Sequence, residues 1–497
     1  MTVVLAIDAG TTGVRAIAFN HSGHPVATSH REFPQYFPRP GWVEHDAEEI
    51  WSAVATVLGE VAKTLQDAGE EIAAIGITNQ RETVVVWDRA SGKALHRAIV
   101  WQDRRTSEFC AELLEKGVLE EVRSTTGLIL DPYFSGTKLQ WLFTQGKIEP
   151  SENVLVGTVD SWLIWKLTNG AAHLTDTTNA SRTMLLDIKT GQWSKAMCNL
   201  LGIPAHVLPE VRPSSARFAV TASTCPAGAD IPISGVAGDQ QAALFGQACF
   251  SPGEAKNTYG TGSFVLMNMG TTCPPPVEGL LTTIAWSLPD DEGAPRITYA
   301  YEGAIFVTGA AVQWLRDELQ IIESSADITQ LAESVADSGG LMIVPAFTGL
   351  GSPWWDPHAR GTILGITRGV GRAHLARATI ESIALQTRDA IDAMSKAGGF
   401  PITSLRADGG GASQLVLQLQ ADQLGVTVRR SAVAETTALG AAYLAGLAEG
   451  FWSSTDEIRE NWAADYECVP CPDRAEVDAL HHRWTRAVDR AKNWAED

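Results

Sequence analysis

The spacing of apolar and polar positions changes period several times along the chain, and each change marks an element. Residues 3–7 form a short apolar run that stops at Asp8, and a second run, 14–19, follows the turn Asp8-Ala9-Gly10-Thr11-Thr12-Gly13. The turn Ser22-Gly23-His24-Pro25 leads into a third extended stretch, 26–33, so the opening reads as a meander at the edge of a mixed sheet. A helical period then takes over. Ile50, Trp51, Val54, Val57, Leu58, Val61 and Leu65 recur three and four apart and share one buried face. Asp46 stands where an N-cap belongs, and Glu49 three residues on completes a capping-box pattern. Residues 72–78 and 83–87 predict strands and 137–143 a helix. A buried strand at 154–159 runs into a helix over 161–167, and a helix over 194–201 is stopped by Gly202.

From about residue 247 the theme restarts. Residues 257–267 again read strand, turn, strand, around Tyr259-Gly260-Thr261-Gly262-Ser263. Gly309 opens a helix through Gln313 and Trp314. Residues 374–394 predict a long amphipathic helix with Leu375, Ala378, Ile383, Ala384, Thr387, Ile391 and Met394 inward. A glycine turn, Asp408-Gly409-Gly410-Gly411, precedes a helix from about Gln414. Ala438-Leu439-Gly440-Ala441-Ala442 predicts a small-residue helix able to pack closely on a sheet. Reuse of one hairpin in each half is a sign of duplicated architecture.

Composition narrows the class. With 497 residues the chain exceeds the length at which a single core stops growing, about 250–300 residues. An α/β protein of two domains, 1–246 and 247–497, is expected. The formal net charge of -20 and the lack of any Lys/Arg run argue against a nucleic-acid partner. No apolar segment approaches the roughly 20 residues of a membrane span. The start has no basic leader, so a cytoplasmic protein whose 7 cysteines stay thiols is expected. Cys468-Val469-Pro470-Cys471, followed by His481 and His482, lacks a second well-spaced pair and reads as ordinary loop cysteines rather than a zinc site.

The candidate chemistry sits at the turns. Glycines in a strand–turn–strand hairpin let backbone N–H groups approach a phosphate. Two such hairpins imply two phosphate-gripping lobes, and Gly238-Asp239-Gln240-Gln241 places a carboxylate between them. Asp239 is the candidate general base for a hydroxyl attacking a γ-phosphoryl group; helix capping is its other possible role. An acidic chain that handles ATP must neutralise phosphate locally, with amides, threonine hydroxyls, arginine and Mg²⁺. Asp8 heads the first hairpin and is the candidate Mg²⁺ ligand, largely through water. Thr11, Thr12 and Gly13 offer hydroxyls and amides to phosphate, and Arg15 a charge. A plain Asp-Gly turn is the alternative reading. Arg81 and Glu82 supply donors and acceptors for vicinal hydroxyls, which suits a small triol; an isolated Arg-Glu pair of this kind is otherwise a loop ion pair.

Several longer motifs carry a resemblance to a known family. They are Thr78-Asn79-Gln80-Arg81-Glu82-Thr83, Trp101-Gln102-Asp103-Arg104-Arg105, Asp131-Pro132-Tyr133-Phe134-Ser135-Gly136-Thr137-Lys138 continuing to Trp141, and Gly361-Thr362-Ile363-Leu364-Gly365-Ile366 continuing through His374-Leu375 to Glu381. Together they resemble the FGGY carbohydrate kinases almost end to end, and within them the branch that phosphorylates glycerol. The resemblance implies two actin-like, ribonuclease-H-like domains with a catalytic cleft between them. It implies MgATP and glycerol as the ligands, sn-glycerol 3-phosphate as product, and a homo-oligomer, dimer or tetramer. It implies Arg81, Glu82, Trp101, Tyr133, Asp239, Gln240 and Phe264 around the polyol, Asp239 as base, and Asp8 and Asp239 at the metal. It implies Thr261, Gly309, Gln313, Gly410 and Gly411 beside the nucleotide. Gly411-Ala412-Ser413-Gln414 is one residue short of the family's adenosine turn, and Gly13-Val14 stands where two serines are common. Residues 221–231 contain no basic residue and no histidine, so control by fructose 1,6-bisphosphate or by histidine phosphorylation is expected to be missing. Another polyol or sugar as substrate, or a non-enzymatic actin-like ATP-binding protein, are the competing readings.

Overall fold

The computed structural model describes residues 2–290 and 292–495. Two sheets organise them. The first has six strands in the order Ser215–Val220, Pro232–Gly238, Glu71–Asn79, Thr2–Ala9, Gly13–Phe19 and Pro25–Glu32. Glu71–Asn79 runs parallel to both its neighbours, while Thr2–Ala9, Gly13–Phe19 and Pro25–Glu32 form the antiparallel meander at the edge. The second sheet has seven strands in the order Leu281–Pro289, Pro295–Ile305, Ser263–Gly270, Glu254–Tyr259, Ser404–Asp408, Val428–Ser431 and Ala464–Cys468. Here too a hairpin, Glu254–Tyr259 with Ser263–Gly270, is followed by two parallel strands. The two halves therefore repeat one wiring, as the repeated turn implied.

The repeat is completed by two equivalent helices. Asp239–Gly246 follows Pro232–Gly238, and Thr436–Ala448 follows Val428–Ser431. They pack on each other between the sheets. Thr436–Ala448 also lies on the first sheet, so a helix from the second half of the chain caps the core of the first. Its small side chains permit this. A Cβ at Gly440 would sit 1.8 Å from the Ala242 carbonyl oxygen, and one at Gly246 2.0 Å from that of Thr436. Gly76 and Gly235 on the sheet face the same helix, with 2.2 Å to the Ala441 carbonyl oxygen and 2.3 Å to the Ala445 nitrogen. The apolar layer around the crossing draws on both halves, from Val4, Ile17 and Phe19 to Leu266, Trp286 and Tyr443.

Most local expectations match the observed elements. The helix Ala47–Ala68 buries Ile50, Val54, Val57, Leu58, Val61 and Leu65 and stops at Gly69 in the left-handed conformation. Its start differs in one respect. Asp46 accepts from the Glu48 N–H at 2.9 Å, but the Glu49 carboxylate accepts the Tyr36 hydroxyl at 2.9 Å instead of closing a capping box. The long helix runs Arg372–Gly398. His481, part of the possible zinc pattern, instead meets Asp389 Oδ1 at 2.7 Å and helps seat the C-terminal helix Arg474–Ala491. Among the described residues no helix is long and apolar enough to cross a membrane.

Substituting Gly440→Ala is expected to destabilise the chain by about 3 kcal/mol or more, since the methyl meets backbone that cannot yield. Denaturant unfolding against the wild type measures it, and an unchanged midpoint would show that the helices can separate without loss.

Candidate active site

Both sheets direct their parallel strands so that the chemistry-bearing turns lie at the carboxyl ends, where open α/β sheets bind ligands. Asp8 ends the first strand. Arg81 and Glu82 follow Glu71–Asn79, and Asp239 follows Pro232–Gly238. In the second sheet, Gly260-Thr261-Gly262 connects the hairpin and Gly409-Gly410-Gly411 follows Ser404–Asp408.

The polyol-loop residues converge. Glu82 has φ 61°, and Thr83 N–H donates to the Arg81 carbonyl at 2.7 Å, which makes a tight three-residue turn. A non-glycine residue in this region stores strain, of order 1–3 kcal/mol, and holds the two charged side chains inward. Arg81 Nε lies 3.3 Å from Asp239 Oδ1, and Arg81 Nη2 donates to the Tyr133 hydroxyl at 3.1 Å. The Phe264 ring centroid, from the second sheet, is 6.0 Å from the guanidinium carbon. Trp101 packs edge-on to Tyr133 with centroids 5.7 Å apart, and its Nε1–H donates to Thr11 Oγ1 at 3.0 Å. That bond ties the Trp101 and Tyr133 wall to the first hairpin. The Arg81-Glu82 pair is buried, so it is not the surface ion pair of the bland reading.

Asp239 is not an N-cap. It is the first residue of its helix, Gly238 occupies the cap, and Asp239 Oδ1 accepts the adjacent Gln240 N–H at 2.7 Å. Its side chain keeps 31% of its surface accessible. Gln240 Oε1 accepts from Lys256 Nζ, whose next contact is Thr258 Oγ1 at 3.0 Å.

At the hairpin of the second sheet, Gly309 N–H donates to the Gly260 carbonyl at 3.0 Å, and Ala310 N–H to that of Thr261 at 3.0 Å. Gly411 N–H donates to the Tyr259 carbonyl at 2.9 Å. Thr261, Gly309 and Gly411 are thus gathered at the hairpin Tyr259–Ser263. Gly410 has open space where a Cβ would be. Gln313 lies one turn into Gly309–Asp317 with its side chain exposed. Arg15, expected at phosphate, pairs here with Glu435 just ahead of Thr436–Ala448. Asp408 Oδ2 accepts from Gln247 Nε2 at 2.8 Å and from Thr436 Oγ1 at 2.6 Å, which anchors the glycine turn to both crossing helices.

Charge balance explains the electrostatics. Burial pushes Asp8 up to about 7, against Arg15, with Asp239 and Glu435 adding to the rise. Burial also raises Asp239, opposed by Arg81 and Lys256. Burial holds Lys256 down at about 8 although Asp408 and Asp239 favour its charged form. Two carboxylates that disfavour each other's charge form a locus that accepts a cation, and all-oxygen donors suit Mg²⁺. Among the described residues no group of three or more His, Cys, Asp or Glu is arranged to hold a metal by protein ligands alone.

Sequence reasoning passed over Arg182, Glu302, Lys256 and Glu435. Arg182 and Glu302 each stand with no other charge within three residues, and that isolation is their one available signal; Lys256 has Glu254 two residues before it, and Glu435 is partly exposed. Burying an unpaired charge is too costly for such a residue to be incidental.

Models of the FGGY family of carbohydrate kinases match residues 3–246 with their N-terminal domain and 255–449 with their C-terminal domain. The chain belongs to the FGGY family of carbohydrate kinases. This FGGY kinase is 54% identical over 497 residues to a glycerol kinase of Symbiobacterium thermophilum, and 52% over 499 residues to one of Petrotoga mobilis, with 99% of each chain covered. Among solved structures it is similar to Plasmodium falciparum glycerol kinase with ADP, with TM-score 0.94, 36% identity and coverage of 99% of this chain and 98% of that one. A xylulose kinase of Lactobacillus acidophilus, at TM-score 0.88 and 22% identity, shares the fold, with coverage of 99% and 98%.

Gly410→Ala is expected to leave thermal stability unchanged, because the methyl meets no protein atom within 4 Å. A nucleotide held at this turn, as expected from the sequence, would meet the same methyl, and KM for ATP should then rise about tenfold, the equivalent of about 1.4 kcal/mol. Steady-state kinetics at varied ATP, beside a melting curve, separate the two effects.

Proposed function

We infer that this FGGY kinase transfers the terminal phosphoryl group of ATP to glycerol, giving sn-glycerol 3-phosphate and ADP. The juxtaposition that carries the reading is Arg81 Nε 3.3 Å from Asp239 Oδ1, in a pocket walled by Phe264 and Tyr133. The full-length likeness to proteins named glycerol kinase supports the choice of a three-carbon polyol over a sugar.

The residues have separable tasks. Arg81 donates to polyol oxygens and Glu82 accepts from their hydroxyls, so a bound triol is oriented at both vicinal positions. Trp101 and Phe264 cover its carbon skeleton, and the Tyr133 and Gln240 side chains contact the remaining hydroxyl. Asp239 accepts the proton of the terminal hydroxyl as that oxygen attacks phosphorus; its raised affinity for protons and its partly open side chain suit a base. Thr11, Thr12 and Gly13 hold phosphate oxygens from one side, with Arg15 available once released from Glu435. Thr261, Gly309, Gln313, Gly410 and Gly411 hold the nucleotide from the other. Asp8 and Asp239 would hold Mg²⁺, mainly through water. When bound, that ion neutralises charge building on the phosphates. Residues 1–246 then form the polyol half and 247–497 the nucleotide half, and closure between them excludes water. A cytoplasmic location and a homo-oligomer fit the same reading, and light scattering in solution checks the latter.

A panel of polyols and sugars, followed by ADP release, tests the substrate: glycerol should give the highest kcat/KM, and a sugar that surpasses it would displace the reading. Asp239→Asn should keep the melting temperature and lower kcat about 10³-fold, within the range of general-base removal. Comparable turnover in that variant removes Asp239 as the base. Fructose 1,6-bisphosphate should leave the rate unchanged, and strong inhibition would show a control site outside 221–231.

A further inference from the structure

The two residues assigned to polyol recognition are not held by each other. Arg81 Nε is 3.7 Å from Glu82 Oε1, beyond hydrogen-bond reach. Each charge instead finds a partner elsewhere. Arg81 Nη1 and Nη2 both reach the Glu302 carboxylate, the second at 3.2 Å to Oε1. Arg182 Nε donates to Glu82 Oε1 at 2.7 Å, and Arg182 Nη2 donates to Glu302 Oε1 at 2.9 Å. The result is a frame of two arginines and two glutamates, bonded in the order Arg81, Glu302, Arg182, Glu82, every side chain 2% exposed or less. The formal charge within it is zero, which lets it stand in a low-dielectric interior.

The frame joins distant parts of the fold. Glu302 is the one acidic residue of the strand Pro295–Ile305 of the second sheet, between Leu266 and Leu281 in register. Alternation puts it on the same face as Ala300, toward the first half of the chain. Arg182 follows the turn Thr177–Ala180, which Asp176 caps, and its guanidinium carbon stands 5.3 Å from the Phe134 ring. Burial alone would raise Glu302, yet Arg182 and Arg81 hold it down at about 2, so its charge persists at any physiological pH.

We propose that Glu302 and Arg182 are positioning residues that set the aim of Arg81 and Glu82 at the polyol, with Glu302 transmitting the placement of the second sheet to the polyol loop. The proposal rests on the glycerol-kinase reading only for the identity of the substrate. With Glu302 neutral, Arg81 loses a two-pronged partner and swings toward Asp239. With Arg182 shortened, Glu82 loses the bond that fixes its carboxylate. Neither residue borders the nucleotide turns, so the effect should fall on the polyol.

The test uses the full-length enzyme with E302Q, R182K and the double variant R182Q/E302Q, each assayed at varied glycerol and varied ATP. Expected for E302Q and R182K is a KM for glycerol raised tenfold or more, with KM for ATP within threefold of wild type. The double variant removes one charge of each sign and should melt nearer to wild type than E302Q does, while its KM for glycerol stays raised; it also serves if E302Q does not fold. A folded variant with unchanged KM for glycerol overturns the proposal, as does an equal rise in both KM values, which would mark general loosening. Should wild type prefer another polyol, the substrate reading fails alone, and the same ratios measured with that polyol still decide the role of the frame.

Discussion

Two helices cross where no side chain can intervene, and the rest of the molecule is arranged around that contact. At Gly440 and Gly246 an added Cβ would lie at 2.0 Å or less from a backbone oxygen, so backbone meets backbone. Each helix begins at the carboxyl end of a strand in its own sheet. Locking them together therefore brings the carboxyl ends of both sheets to face one another. The hairpins, the glycine turn and Asp239 all stand at those ends. Asp408 extends the lock, since its carboxylate takes a bond from Gln247 after one helix and from Thr436 at the start of the other.

Such a junction buries charged groups, and burial sets the electrostatics. Charges there persist only in balanced groups. The Arg81, Glu82, Arg182 and Glu302 frame is balanced within itself. The neighbouring region is not. Asp8 and Asp239 are raised by burial, with Arg15, Arg81 and Lys256 as partial compensation. A metal-bearing polyphosphate brings charges of both signs, and this unbalanced region is where it would be accommodated. The contrast is between a buried frame whose charges cancel and a carboxylate, Asp239, that keeps 31% of its side-chain surface accessible while it meets Arg81 Nε at 3.3 Å and the Gln240 N–H at 2.7 Å.

Local chemistry was well legible. Gly202 stops its helix as expected because a C-terminal cap needs a left-handed residue and a glycine supplies it; Gly69 does the same after Ala47–Ala68. The two hairpins were legible through their glycines for a different reason, close approach of backbone: a Cβ at Gly13 would sit 2.8 Å from the Arg31 carbonyl oxygen and one at Gly262 2.5 Å from that of Ile305. Asp46 was legible as a cap, but Glu49 was not, because its partner Tyr36 comes from a different strand–loop segment. Glu302 was the hardest to read. Its partner Arg81 is 221 residues away, and nothing adjacent in the chain records the pairing.

By itself the sequence determined the elements, the repeated strand–turn–strand theme, and the residue types able to hold phosphate, a polyol and a proton. These depend on short-range rules: side-chain period, turn conformation and the donors or acceptors a residue carries. The tertiary structure alone decided that Arg81 is bonded to Glu302, that Arg15 pairs with Glu435, and that the helix Thr436–Ala448 serves the core of the other half. Those outcomes depend on which surfaces come within contact distance when two sheets are pressed together, and a buried charge then takes whatever partner the packing delivers.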